Sequence, residues 1–178
     1  MQEKTLLDDP NFREFYVTAN PSTYAAGGDQ KAEIMENGGK RYVFYDKKRW
    51  PQWRYIDTYY GYNPFFGNKI IEEVPLVPPV VWTPIAQMSY GGYAKGTEDE
   101  IKRMFVFLGE ISRQVSVRSL FRGPTEQKYI RENGLQYHCQ TTRLDPYRVQ
   151  GGETILEYAL REGESPFYQL RFQFCCLH

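Results

Sequence analysis

Asp57 lies in the stretch Tyr55-Ile-Asp-Thr-Tyr-Tyr60, a carboxylate set among phenols. A carboxylate inside a strand-like stretch must be paired, hydrogen-bonded or neutralised. Asp57 is therefore the candidate for a general acid, a general base or a ligand anchor. The competing reading is structural: Asp57 accepts from a tyrosine hydroxyl, or pairs with an arginine such as Arg122, and holds two parts of the chain together. Arg122-Gly-Pro124 follows the apolar pair Leu120-Phe121 and presents a guanidinium on a rigid turn, an arrangement suited to a carboxylate or phosphate. A turn with an exposed arginine explains the same residues.

The remaining reactive residues are weaker candidates. His138 and Cys139 are neighbours, and neighbours on a strand point to opposite faces, so they do not act on one atom and read better as packed residues. Cys175, Cys176 and His178 lack the paired-cysteine spacing of a zinc site, so no metal and no cofactor is expected. The last four residues, Cys-Cys-Leu-His, fit a prenylation box only superficially. Ala25-Ala-Gly-Gly28 and Tyr90-Gly-Gly-Tyr93 lack the Lys-Ser/Thr partner of a phosphate loop and read as turns. Lys47-Lys-Arg-Trp-Pro-Gln-Trp-Arg54 is the one dense basic and aromatic cluster. Arg49, Trp50 and Trp53 would suit stacking on a base or sugar, or an interaction hot spot, unless the tryptophans fold back onto the core.

The elements that must position these residues follow from periodicity. Asp8 or Asp9 before Pro10 marks a helix start, and Phe12, Phe15, Tyr16 and Ala19 continue it to a stop near Asn20-Pro21. Thr97-Glu-Asp-Glu100 is a capping box, with Ile101, Met104, Phe105, Leu108 and Ile111 following on one face of a helix over 98–113. Elsewhere the period is two, which predicts strands over 54–60, 68–74, 85–90, 135–141, 153–159 and 168–174. Arg41 to Tyr45 is a further candidate strand.

The two strand triplets align. Tyr55-x-Asp57 matches Tyr137-x-Cys139, Phe65-x-Gly67-x-Lys69-x-Ile71 matches Val149-x-Gly151-x-Glu153-x-Ile155, and Met88-x-Tyr90 matches Phe172-x-Phe174. Each triplet follows a helix, so the pattern predicts a duplicated helix–strand–strand–strand unit. The first unit spans about 10–92, with an insertion at about 29–53, and the second about 97–178. Gly67 and Gly151 would mark bulges or tight turns at the start of each middle strand. The expected fold is α+β: a curved antiparallel sheet, helices on one face, and a cleft between the halves.

At 178 residues the chain suits a single domain. Its 22 basic and 22 acidic residues cancel, which removes the field that a non-specific nucleic-acid or anionic-membrane binder carries. Apolar runs are far shorter than the roughly 20 residues of a membrane span, and the N-terminus lacks a signal-peptide core. A cytoplasmic location with reduced thiols is expected, and a homodimer is left open. Aromatic residues make up 16% of the chain, with 15 Tyr, and suit strands lining a half-wet cavity.

Thr23-Tyr-Ala-Ala-Gly-Gly28, Tyr55-Ile-Asp-Thr-Tyr-Tyr-Gly61, Met88-Ser-Tyr-Gly-Gly92, Phe121-Arg-Gly-Pro124 and Tyr137-His-Cys139 together resemble a bacterial family, the domain of unknown function 5680 family. Its members stand alone or follow helix-turn-helix repressor domains. The resemblance runs from about Phe12 to the C-terminus, and it implies kinship without implying an activity. The chain departs from the family at Lys47–Trp53, where a polar Ser/Gly-rich stretch is usual, and in lacking a Gly-Gly ending. No preceding helix-turn-helix is expected here.

The leading functional expectation is a small-molecule binding or sensing domain. Tyr24, Tyr55, Tyr59, Tyr90 and Tyr137 would wall its cleft, with Asp57 and Arg122 as polar anchors. The alternatives are an enzyme using Asp57 as acid or base in the same cleft, and a protein-interaction or inhibitor module using Arg49, Trp50 and Trp53.

Overall fold

The computed structural model describes residues 5–23, 31–75, 77–114, 120, 128–130, 134–157 and 168–177. After a 3-10 turn at Leu6–Asp8, helix α1 runs Pro10–Ser22. Asp9 caps it by accepting the Asn11 N–H at 2.8 Å, and Pro10 occupies the first turn, where its missing N–H costs nothing. The helix passes through Asn20-Pro21 rather than stopping there. Thr23 closes it, its N–H and its hydroxyl both directed at the Asn20 carbonyl, at 3.4 and 3.0 Å.

Five strands follow: β1 Glu33–Ile34, β2 Lys40–Phe44, β3 Trp53–Gly61, β4 Phe65–Glu73 and β5 Thr83–Ala94. Helix α2, Glu98–Ser112, starts at the anticipated capping box, where Glu100 Oε2 accepts from the Thr97 N–H at 2.7 Å and Thr97 Oγ1 accepts from the Glu100 N–H at 3.4 Å. Then come β6 Lys128–Ile130, β7 Leu135–Asp145, β8 Arg148–Glu157 and β9 Tyr168–Cys176.

Among the described residues these nine strands form one antiparallel sheet, in the order β1-β2-β3-β4-β5-β9-β8-β7-β6. The chain is thus α+β with an antiparallel sheet. Both helices pack on one face of it. Tyr16 of α1 meets the rings of Tyr55 and Phe174 edge-on and directs its hydroxyl at Met88 Sδ, while Phe105 of α2 meets Phe65 and Tyr168. Alternation supplies the rest of the inner layer, including Ile71, Tyr137, Ile155 and Leu170.

Two expectations are corrected. Gly67 and Gly151 mark neither bulge nor turn: pairing is continuous through both, and the irregularities fall at Ile71/Glu72 and Arg143/Asp145. The glycines instead make room for a cross-strand ring. A Cβ on Gly67 would lie 2.3 Å from the Tyr90 ring, and one on Gly151 would lie 2.4 Å from the Phe172 ring. The final strands also align differently, since Gly67 faces Tyr90 and Gly151 faces Phe172, so the residue matching Tyr90 in register is Phe172 rather than Phe174.

The segment before β3 extends the sheet through β1 and β2 and then closes over α1. Asp46 Oδ1 accepts from the Lys48 and Arg49 N–H groups, making the turn that folds both tryptophans inward. Trp50 and Trp53 are buried against Phe15, and Trp53 also against Phe12. Of the two readings of this loop, packing onto the core is the one observed, because each indole is a large apolar surface that α1 can cover.

Candidate functional site

Strand β3 delivers Asp57 to the inner face, and β4 delivers Lys69 to the position directly opposite. Both are buried, at 4% and 1% exposure, which is unusual for a carboxylate and an ammonium group. The next strand places Met88 beside Lys69 in the same row, with Tyr90 one row further along. The last turn of α1 covers the site with Asn20 and Thr23, both buried.

These groups form a connected polar cluster. The Tyr90 hydroxyl donates to Asp57 Oδ1 at 2.8 Å, and Thr23 Oγ1 lies 3.3 Å from Asp57 Oδ2. Lys69 Nζ donates to Asn20 Oδ1 at 2.5 Å, and the Tyr55 hydroxyl donates to the same oxygen at 3.1 Å. The ammonium also lies 5.5 Å from the Tyr90 ring centroid and 5.8 Å from that of Tyr55, within cation–π range. A sulfur, two aromatic faces and a helix end enclose a facing acid and base.

Chemically the cluster has capacity beyond its internal bonds. Thr23 has one hydroxyl proton, and the Asn20 carbonyl at 3.0 Å competes with Asp57 for it. An ionised carboxylate offers roughly four acceptor sites, so Asp57 has room for a further donor. The enclosed setting strengthens any such contact, because the local dielectric is low.

The sequence-derived candidates are distributed as follows. Asp57, Tyr55 and Tyr90 come together in this cluster. Tyr59 lies on the same face one row away, half-buried, with Lys40 Nζ 5.8 Å from its ring centroid. Tyr137 is fully buried in the other half of the sheet, opposite Ile155. Tyr24 and Arg122 lie outside the described residues. Arg49 ion-pairs with Glu14 and lies over the Trp50 ring at 4.3 Å. Three members, Lys69, Asn20 and Thr23, were not among the sequence-derived site residues, Thr23 appearing only at the head of a family-like stretch. Lys69 had a signal, because Phe65-x-Gly67-x-Lys69-x-Ile71 places it on the inward face. Asn20 had none, since it reads as a helix stop.

His138 is half-buried while Cys139 is fully buried, so the two point to opposite faces of β7. Among the described residues the three cysteines are free, and no group of three His, Cys, Asp or Glu side chains gathers in a metal-binding arrangement. No described helix is long and apolar enough to cross a membrane. Comparisons with protein-family models, with curated proteins and with solved structures return no match.

Proposed function

We propose that this domain binds a small polar molecule at the Asp57–Lys69 cluster, and that Asp57 is its principal anchor. The observation that supports this reading is the pair of opposite charges buried face to face and joined to Tyr90, Tyr55, Asn20 and Thr23. A purely structural core gains little from such groups, because desolvating two charges costs several kcal/mol per ion before any attraction is recovered.

Three of the stretches that resemble the domain of unknown function 5680 family meet at one carboxylate. They are the stretches beginning at Thr23, Tyr55 and Met88, which contribute Thr23, Asp57 and Tyr90. Membership of that family is part of the proposal, as is Arg122 as a second anchor and a ligand cleft shared between the halves. So is the duplication, for which the registers give support. Residues 82 positions apart exchange roles in the β5–β9 pairing, where Ala86↔Cys176 becomes Tyr168↔Ala94 and Tyr90↔Phe172 exchanges with itself. The same shift takes Tyr55 to Tyr137 on β7, and the partner of each is an isoleucine, Ile71 and Ile155, these two being 84 positions apart.

A thermal-shift screen of polar metabolites against wild type and Asp57→Asn tests the reading. At least one compound that stabilises the wild type should bind the variant at least about tenfold more weakly, the loss expected for a hydrogen bond to a charged group. Equal shifts in both proteins for every stabilising compound would remove Asp57 from the site.

The facing arrangement of Lys69 and Asp57 favours one second reading, proton transfer to a bound substrate. In that case Asp57→Asn abolishes turnover, while binding of an uncharged ligand largely survives.

A further inference from the structure

The sheet face turned away from the helices carries a second, chemically different feature. Over β5, β9, β8 and β7 it forms a groove of about 840 Å³. Arg171 stands at its centre, exposed, with Gly91 in register on one side and Gly152 on the other. Neither glycine has a side chain to cover the guanidinium. Gln140 continues that row, Gln173 and Gln150 form the next, and Thr154 and His138 lie on the opposite side.

Among the described residues no carboxylate lines the groove, and Arg171 makes no ion pair. A lone guanidinium in an acid-free groove favours an oxyanion, which it can grip in a bidentate manner. The surrounding amides and hydroxyls donate and accept, and so suit a hydroxylated body rather than an apolar one.

We propose that this groove is a binding site for a small polyhydroxylated anion, its carboxylate or phosphate held by Arg171 and its hydroxyls by the glutamine and threonine rows. The site is separate from the Asp57 cluster, which faces the helices. Calorimetric titration with gluconate, glucose 6-phosphate and glucose tests it. At least one of the two charged sugars should bind with a millimolar or tighter Kd that weakens as salt is raised, and neutral glucose should not bind. A response to only one of the two charged sugars identifies the head group as carboxylate or phosphate.

Arg171→Gln should weaken binding at least about tenfold. Gly91→Ala should weaken it too, by adding a methyl beside the guanidinium; a Cβ there meets nothing closer than 3.5 Å. Asp57→Asn should bind as wild type does, which separates this site from the proposed one. Absence of binding by both charged sugars, or unchanged affinity in Arg171→Gln, would overturn the proposal.

Discussion

Asp57 and Lys69 face each other on neighbouring strands with almost no access to water, so removing either charge leaves the other buried with fewer compensating groups. Lys69→Met should cost about 3 kcal/mol, because it leaves the Asp57 carboxylate buried opposite an apolar chain. Adding Asp57→Asn to that variant should recover part of the loss, and urea denaturation of the four proteins measures the coupling. Additive costs would show that the two charges do not sense each other. Asp57 was legible in the sequence because a carboxylate among tyrosines needs an explanation. Lys69 was not singled out, although strand alternation placed it inward, because a lysine in a strand is ordinarily solvated. The thiols obey the same environmental logic. Burial pushes the Cys176 thiol up to about 11, with Cys175 adding to the effect. Alkylation of the native protein at pH 8 should therefore reach half-exposed Cys175 first and spare Cys176 and Cys139 until unfolding.

At the scale of elements, the glycines of the middle strands decide whether neighbouring strands can close. Gly67→Ala would push a methyl into the Tyr90 ring and the Thr58 carbonyl, and Gly151→Ala would do the same to the Phe172 ring and the Gln140 carbonyl. Each should cost about 1–3 kcal/mol, the usual range for overpacking, read as a lower denaturation midpoint. Costs near zero would mean that the rings do not sit over the glycines. The 3-10 turn is fastened separately. Thr5 donates its N–H and hydroxyl to Asp8, and Arg143 of β7 reaches the same carboxylate at 3.5 Å. The bonds from Thr5, then Arg143, hold the Asp8 carboxyl near a pKa of about 2, below its ordinary 3.8. Because the folded value is the lower one, this stabilisation is present above pH 4 and fades as pH falls towards 2. Asp8→Asn should remove that slope from a stability–pH profile.

The helices and the six main strands were readable because capping boxes and period-two patterns are local signals. Strands β1 and β6, of two and three residues, were not, since alternation cannot be seen over so short a run.

At the scale of the whole molecule, one continuous sheet joins the two strand triplets edge to edge through β5 and β9, which are more than seventy residues apart in sequence. No local pattern encodes which strand neighbours which across such a distance, so that junction was not legible. It determines the layout of the molecule. On one face the helices bury the tyrosine-rich layer around the Asp57–Lys69 cluster; on the other, polar rows surround Arg171. Tyr55 and Tyr137 are both fully buried in the inner layer, one in each half, and the polar groups of the cluster come from the first half of the chain. The Lys47–Trp53 segment closes over α1 at the far end of the sheet, placing its aromatic residues in the core.

Native mass spectrometry of freshly purified wild type beside Asp57→Asn is the sharpest probe of a ligand anchored by Asp57, because it weighs any retained molecule without assuming its identity. A discrete small-mass adduct is expected on the wild type and should be lost or sharply reduced in the variant. The same adduct at equal occupancy on both proteins, or none on either across a graded collision-energy series, would contradict a ligand site anchored by Asp57.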